Sequence, residues 1–282
     1  MSVNNKSIFG PVVLTVRNLA AMVAFYQQSI GLKLLERSGN IAMMGVEDRC
    51  LLTLNENPQA KHPGRTTGLY HFAILLPSRP ALARQLHHLV ETGVHLQGAA
   101  DHLVSEALYL ADPEGNGIEI YRDRPRDQWP QENGQLRMAS DPLDFTGLLA
   151  HWPLREAPWQ GLPVGTVMGH VHLRVSDLAT AEAFYRAVLG MDLMMRFGHS
   201  ASFLSYHGYH HHIGINTWES LGQPEAPEGS QGLSQFVIQA PDMELFNRIK
   251  TAEKLESNAM EPPDSKLVLR DPSGNAVVVL PP

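Results

Sequence analysis

The sequence predicts an α+β fold of four similar βαβββ modules. Each opens on a strand, continues into a helix and closes with two or three strands. Three observations predict this. The chain repeats itself: Val16-Arg17-Asn18-Leu19-Ala20, Phe25-Tyr26, Gly31 and Leu34 return as Val175-Ser176-Asp177-Leu178-Ala179, Phe184-Tyr185, Gly190 and Leu193. Asp112-Pro113-Glu114-Gly115-Asn116 returns as Asp271-Pro272-Ser273-Gly274-Asn275 at the same offset of about 159 residues. Finally, β-branched runs bounded by Gly, Pro and Asn alternate with amphipathic helical patterns.

The first module runs from about Phe9 to Glu56, with a strand at Val12–Val16 and a helix at Leu19–Ile30. The second opens at Gly68–Leu75 and closes at Gly117–Tyr121. The third opens at Gly169–Val175 and closes near Tyr209–Asn216, and the fourth spans Gly232–Ile238 to Ala276–Leu280. In the Leu178–Leu189 helix, Ala181, Phe184, Tyr185 and Val188 form one apolar stripe, the pattern of a helix packed on a sheet. The Asp-Pro-x-Gly-Asn element reads as a turn, because Pro fixes φ and Gly or Asn accepts a left-handed conformation. Residues 8–124 and 166–282 are expected to be two domains. Residues 125–165 between them are rich in Pro and carry Trp129, Trp152 and Trp159, with a short helix expected near Leu143–Leu149. Such a connector is too aromatic for a loose tether and is expected to pin the halves together.

Composition narrows the function classes. The 282 residues, 43% hydrophobic and 18% charged, suit a soluble protein with two sizeable cores. A net charge of −7 argues against a nucleic-acid partner. No apolar run approaches the roughly 20 residues of a membrane span, and Met1–Lys6 lacks the apolar core of a signal peptide. Cys50 is the only cysteine, which excludes an intrachain disulfide and fits a reducing cytoplasm.

A duplicated chain supplies its own control, since positions needed only for folding should match between copies. His170 corresponds to Pro11, Glu119 to Val278 and, after a small gap, His71 to Gln235. Two imidazoles and one carboxylate are the facial triad that holds non-haem Fe(II) with open positions, although Mn(II), Ni(II) or Zn(II) suits the same donors. His170, His172 and Arg174 share one strand face. Tyr109 lies ten residues before Glu119 and corresponds to Val268, while His102 stands just upstream. In the run His210-His211-His212, at least one ring is expected to enter the cup of the curved sheet.

Gly169-His170, Tyr70-His71-Phe72 and the run Tyr109…Asp112-Pro113-x-Gly115-Asn116…Glu119 resemble the vicinal oxygen chelate superfamily (glyoxalase, bleomycin-resistance and dioxygenase proteins). Within it, nearly the whole chain is similar to the type I extradiol dioxygenases of the catechol 2,3-dioxygenase kind. The resemblance implies modules paired into two cup-shaped barrels, with Fe(II) on His71, His170 and Glu119. It implies His211 as acid–base residue, His102 as second pocket histidine and Tyr109 as a hydrogen-bond partner of the substrate. The implied reaction is meta-cleavage of a catechol by O2 to a hydroxymuconic semialdehyde. The best-known members build their site in modules three and four. Here modules two and three carry the residues, so these two are expected to pair while one and four form an empty, structural pair. A glyoxalase-like isomerase or lyase and a metal-free, resistance-type binding protein are the competing functions. Exposed edge strands leave a homodimer open.

Overall fold

The computed structural model describes residues 8–151, 159–257 and 266–282, the side chains of 253–257 excepted. Trp152, Pro153 and Pro158 of the expected connector, and Met1–Lys6, lie outside the described residues.

Module one comprises β1 (Phe9–Val16), α1 (Leu19–Phe25), β2 (Lys33–Ser38), β3 (Ile41–Val46) and β4 (Arg49–Glu56). Module two comprises β5 (Gly68–Leu75), α2 (Arg79–Glu91), β6 (Gly98–Asp101), β7 (Ser105–Ala111) and β8 (Gly117–Asp123). The connecting stretch carries three two-residue strands, β9 (Gln131–Glu132), β10 (Gln135–Leu136) and β11 (Asp141–Pro142), then α3 (Phe145–Leu149). Module three follows with β12 (Val167–Arg174), α4 (Leu178–Ala187), β13 (Asp192–Phe197), β14 (Ala201–Ser205) and β15 (Ile213–Asn216). Module four has β16 (Gly232–Gln239), α5 (Met243–Ser257), β17 (Leu267–Arg270) and β18 (Ala276–Leu280). It therefore shows two closing strands among the described residues, where the others show three. No helix among the described residues is long and apolar enough to cross a membrane.

The helices start where the sequence supplies a cap. Asn18 and Asp177, at equivalent places in the repeat, accept backbone N–H groups from Ala21 and Thr180. Ser78 does the same for α2 through Ala81, with Pro80 in the first turn where no N–H is missed. The expected helix to Ile30 changes character at Tyr26, where a π turn carries the chain to Gly31 in a left-handed conformation. On α2, Leu82, Leu86 and Leu89 are fully buried against the sheet. Each such side chain contributes about 1.5–3 kcal/mol by leaving water.

In every module the opening strand lies parallel to the closing one: β1 with β4, β5 with β8, β12 with β15 and β16 with β18. Modules join through antiparallel contacts between opening strands. β1 meets β16, giving a seven-stranded sheet from modules one and four. β5 meets β12, giving a nine-stranded sheet of eight strands from modules two and three and β11 from the connecting stretch. Modules two and three pair, as the residue distribution implied. The registers also confirm the gapped alignment: His172 faces His71 in one sheet, and Val13 faces Gln235 in the other.

The connecting stretch is tied down at several points. Trp159 stacks on His88 at 3.4 Å between ring centres and donates its indole N–H to Gln85. Trp129 donates to the Arg124 carbonyl and packs edge-on against His210. β11 adds itself to the edge of β6.

Candidate active site

The site lies on the inner face of β8, β5 and β12, three neighbours in the nine-stranded sheet. Ala73 of β5 pairs with His170 on one side and Glu119 on the other, while His71 stands two residues before it. Because side chains alternate across a strand, His71 and Ala73 share the face that His170 and Glu119 meet. Ala73 packs with Ala107 and the fully buried Tyr121 beneath the site. Gly169, unpaired at an irregularity before His170, is needed here, because a Cβ would fall 2.0 Å from the Tyr121 hydroxyl.

His71 Nε2 lies 3.0 Å, and His170 Nε2 3.1 Å, from Glu119 Oε2. All three residues are buried, and their ligand atoms lie within 4.8 Å of one another. The His71 approach is not aligned as a hydrogen bond, so its buried Nε2 has no partner, and neither has His170 Nδ1. Two atoms bound at right angles to one ion at about 2.1 Å would stand about 3.0 Å apart. The spacing, the unpartnered nitrogen and the mixed N/O donor set fit a divalent metal.

The charge states fit as well. Burial alone would raise the Glu119 carboxyl, but the charge and hydrogen bond of His170, with His71 behind, hold it well below the usual carboxylate range. Burial pulls His170 down from 6.5 to about 4, against the upward pull of Glu119. At neutral pH the carboxylate is ionised and the His170 imidazole neutral, the forms a metal requires.

These groups open onto a cavity of about 420 Å³. Tyr109, paired with Glu119 across β7 and β8, enters it from one side. His102 stands behind Tyr109. Its Nδ1 donates to the Ala139 carbonyl at 2.6 Å, since a carbonyl can only accept, so in the neutral ring Nε2 accepts the Tyr109 hydroxyl proton at 2.6 Å. Burial, and then the Glu119 charge, push the Tyr109 hydroxyl well above its ordinary value. Tyr109 therefore stays protonated.

Of the triple-His run, His211 lines the cavity, its ring 4.1 Å from that of His170. The run precedes β15 and does not alternate as a strand would; side-chain bonds hold it instead. Asp123, at the end of β8, accepts from His210 Nε2 at 2.8 Å and from the Tyr209 hydroxyl at 2.9 Å. His210 Nδ1 and His211 Nδ1 stand 2.8 Å apart, which requires one donor and one acceptor. A tautomer set that satisfies both contacts has His210 Nε2 donating to Asp123 and His211 Nδ1 donating to His210 Nδ1, which leaves the His211 Nε2 lone pair free. Burial, then nearby His170 and His210, hold His211 well below its usual range. His212 turns away, its Nδ1 accepting the Tyr206 backbone N–H at 3.2 Å.

Five of the six residues singled out in the sequence thus line one cavity, and the sixth, His170, stands against two of them, Glu119 and His211. Arg174, on the same strand face as His170, lines a different cavity at the far end of β12. Three further participants were not assigned from sequence. His172, two residues after His170, lines the cavity with its buried Nε2 unpartnered, and the shared strand face was the signal for it. Asp123 and Trp218 left none, because their roles depend on contacts made across the fold.

Comparison with known proteins agrees with the geometry. The family model described as Glyoxalase/Bleomycin resistance protein/Dioxygenase superfamily matches residues 8–120 and again 167–279. A protein of Bacillus subtilis (strain 168) named catechol-2,3-dioxygenase is 40% identical over 282 residues, covering 98% of each chain. Among solved structures, one from Bacillus subtilis subsp. subtilis str. 168 aligns with a TM-score of 0.61 at 11% identity, over 98% of this chain and 86% of that one. Glyoxalase I from Zea mays aligns with a TM-score of 0.57 at 17% identity, over 97% and 92%. At such identities these two structures speak for the fold alone. The chain belongs to the Glyoxalase/Bleomycin resistance protein/Dioxygenase superfamily, and within it to the oxidoreductases that resemble catechol-2,3-dioxygenase.

Proposed function

We propose that this protein is an extradiol dioxygenase that opens the ring of a catechol next to its two hydroxyls, using Fe(II) and O2. His71, Glu119 and His170 are the metal ligands in this reading, His211 is the acid–base residue, Tyr109 binds the substrate, and His102 positions Tyr109. The observation that carries it is the gathering of a two-histidine, one-carboxylate group, a protonated tyrosine and a neutral histidine around one cavity. The full-length likeness to a named catechol-2,3-dioxygenase supports it.

When bound, Fe(II) supplies adjacent positions for the catechol oxygens and dioxygen, and a path for electrons between them. The chain's own groups do the rest. Tyr109 keeps its proton and donates a hydrogen bond to His102, so the lone pairs of its oxygen are left to accept from a substrate hydroxyl. His211, neutral at pH 7, takes a proton at Nε2 as the diol binds and returns it to the opened product. Tyr109 and His211 face the ligand group from two sides and orient the ring between them.

A glyoxalase-like isomerase would call for a second carboxylate in reach. Among the described residues lining the cavity, Glu119 is the only acid. A metal-free binder has no use for His71, Glu119 and His170 in one place. The test is metal analysis of protein purified without chelator, then anaerobic loading with Fe(II) and addition of catechol and air. A yellow ring-opened product is expected. Protein that holds iron tightly yet leaves catechol unchanged would overturn the reading in favour of an isomerase, and protein that holds none would favour a binder.

A further inference from the structure

We propose that the substrate of this site is a catechol carrying an uncharged, apolar substituent about the size of a second ring, seated against the wall formed by Tyr70, Phe203 and Trp218; this inference rests on the ring-cleavage reading above. The first argument is room. A cavity of roughly 150 Å³ is filled by one benzene, whereas this one holds about 420 Å³. A bare catechol would leave a large volume to water, which a chemistry sensitive to stray protons has reason to exclude.

The second argument is the character of the walls. Tyr70, Met195, Phe197, Phe203 and Trp218 form an apolar wall around His172. Beyond the groups described above, the other polar side chains of the lining, Gln97, Ser105 and Ser140, are uncharged. Tyr70 and Trp218 meet edge to face with centres 5.2 Å apart, and His172 bridges Trp218 to Phe203 at 5.4 and 5.6 Å. The Trp218 N–H is committed to Ser200 Oγ at 3.0 Å. What the indole offers an incoming group is its apolar surface. Tyr70, Phe197 and Trp218 are nonetheless 37%, 50% and 44% exposed, an apolar rim with no covering partner within the described chain. A ring laid against them would bury that surface and add aromatic contacts.

The third argument is charge. No lysine or arginine is found among the described residues lining this cavity. A carboxylate on the substituent would lose water without gaining a cationic partner, and Glu119 would repel it. The site is built to reject acidic catechols as well as to accept apolar ones.

The test uses catechol, 4-methylcatechol, 3- and 4-phenylcatechol and 3,4-dihydroxybenzoate as probes. Their binding is followed anaerobically by quenching of tryptophan fluorescence, with and without Fe(II), and kcat/KM is measured in air. One phenylcatechol should bind at least about tenfold more tightly than catechol, and the benzoate at least about tenfold more weakly than 4-methylcatechol. Trp218→Ala should shrink the phenylcatechol-to-catechol ratio severalfold. Equal binding of phenylcatechols and catechol, or binding of the benzoate as tight as that of 4-methylcatechol, overturns the inference. If catechol is cleaved without an aryl preference, the ring-cleavage reading survives and this one falls. If the binding order holds and nothing is cleaved, the cavity is as described and the reaction is another.

Discussion

Tyr109 donates its hydroxyl hydrogen bond to His102, and the Ala139 carbonyl on the far side of the imidazole dictates that direction. The tyrosine oxygen is thereby left as an acceptor beside Glu119. Tyr109→Phe keeps the ring and its packing but deletes that oxygen. The expected result is a fall of about 10–100-fold in kcat/KM for catechol with iron content unchanged. Steady-state rates paired with metal analysis check it, and an undiminished kcat/KM would remove Tyr109 from the substrate's binding groups.

Asp123 plays the analogous part for His211, one residue further removed. It holds His210 through Nε2, and His210 in turn meets His211 at Nδ1. Asp123→Ala frees His210 to adopt either tautomer and blurs which nitrogen of His211 carries the lone pair. The expected outcome is a kcat lowered about tenfold or more with KM little changed. A parallel rise in KM with kcat intact would point to loosened packing of Tyr209 instead.

Much of this arrangement is legible in the sequence, and the reason is the duplication. Pro11, Gln235 and Val278 occupy in the seven-stranded sheet the places that His170, His71 and Glu119 hold in the other, and the registers Val13 with Gln235 and Val237 with Val278 match this. Identical backbone roles filled in one copy by Pro, Gln and Val, none of them a usual metal ligand, isolate the residues kept for chemistry in the other. Position along a strand also fixes facing, which is why Tyr109 could be set beside Glu119. The triple-His run is not readable in this way. Its geometry is set by Asp123, 87 residues from His210 in sequence, and no local periodicity reports such a contact. The wall formed by Tyr70 and Trp218 is hidden for the same reason.

The Phe-Tyr pair and the Asp-Pro-x-Gly-Asn turn look like separate devices in the sequence, yet they are halves of one. Tyr26 donates to Asp112 at 2.7 Å and Tyr185 to Asp271 at 2.9 Å, both inside the core. Each aspartate also accepts the side-chain amide and backbone N–H of its asparagine. Tyr26→Phe should cost about 1–2 kcal/mol of stability, and Asp112→Ala more, because it strands several buried donors. The double variant should lose less than the sum, since the two share one bond. Urea unfolding of the four proteins gives the cycle; strict additivity would mean the bond contributes nothing.

Glu119→Gln tests the metal group directly. The amide is nearly isosteric but carries no charge, and its N–H₂ group cannot serve as a ligand. Iron affinity should drop by about 10–100-fold or more, and activity should fall with it, recovering in part when Fe(II) is raised. Full occupancy at stoichiometric iron would remove Glu119 from the ligand set.

Acid stability follows from histidines kept neutral by burial. His170 is pulled from 6.5 to about 4, and His212, whose Nδ1 must stay unprotonated to accept the Tyr206 N–H, to about 3. In the unfolded chain both take up a proton near pH 6.5, whereas in the folded protein neither does until pH 4 or below. The unfolded state therefore binds more protons between these limits, so stability is complete above pH 6.5 and falls as pH falls. From pH 7.5 to 5.5 the two together should cost about 3 kcal/mol. Urea midpoints of metal-free protein at the two pH values measure it. His212→Asn, whose side-chain oxygen can take the place of Nδ1 as acceptor, should remove that residue's own share of the difference, about 1.4 kcal/mol, while leaving the pH 7.5 midpoint close to its original value. A midpoint independent of pH across this range would mean that the buried rings titrate as freely folded as unfolded.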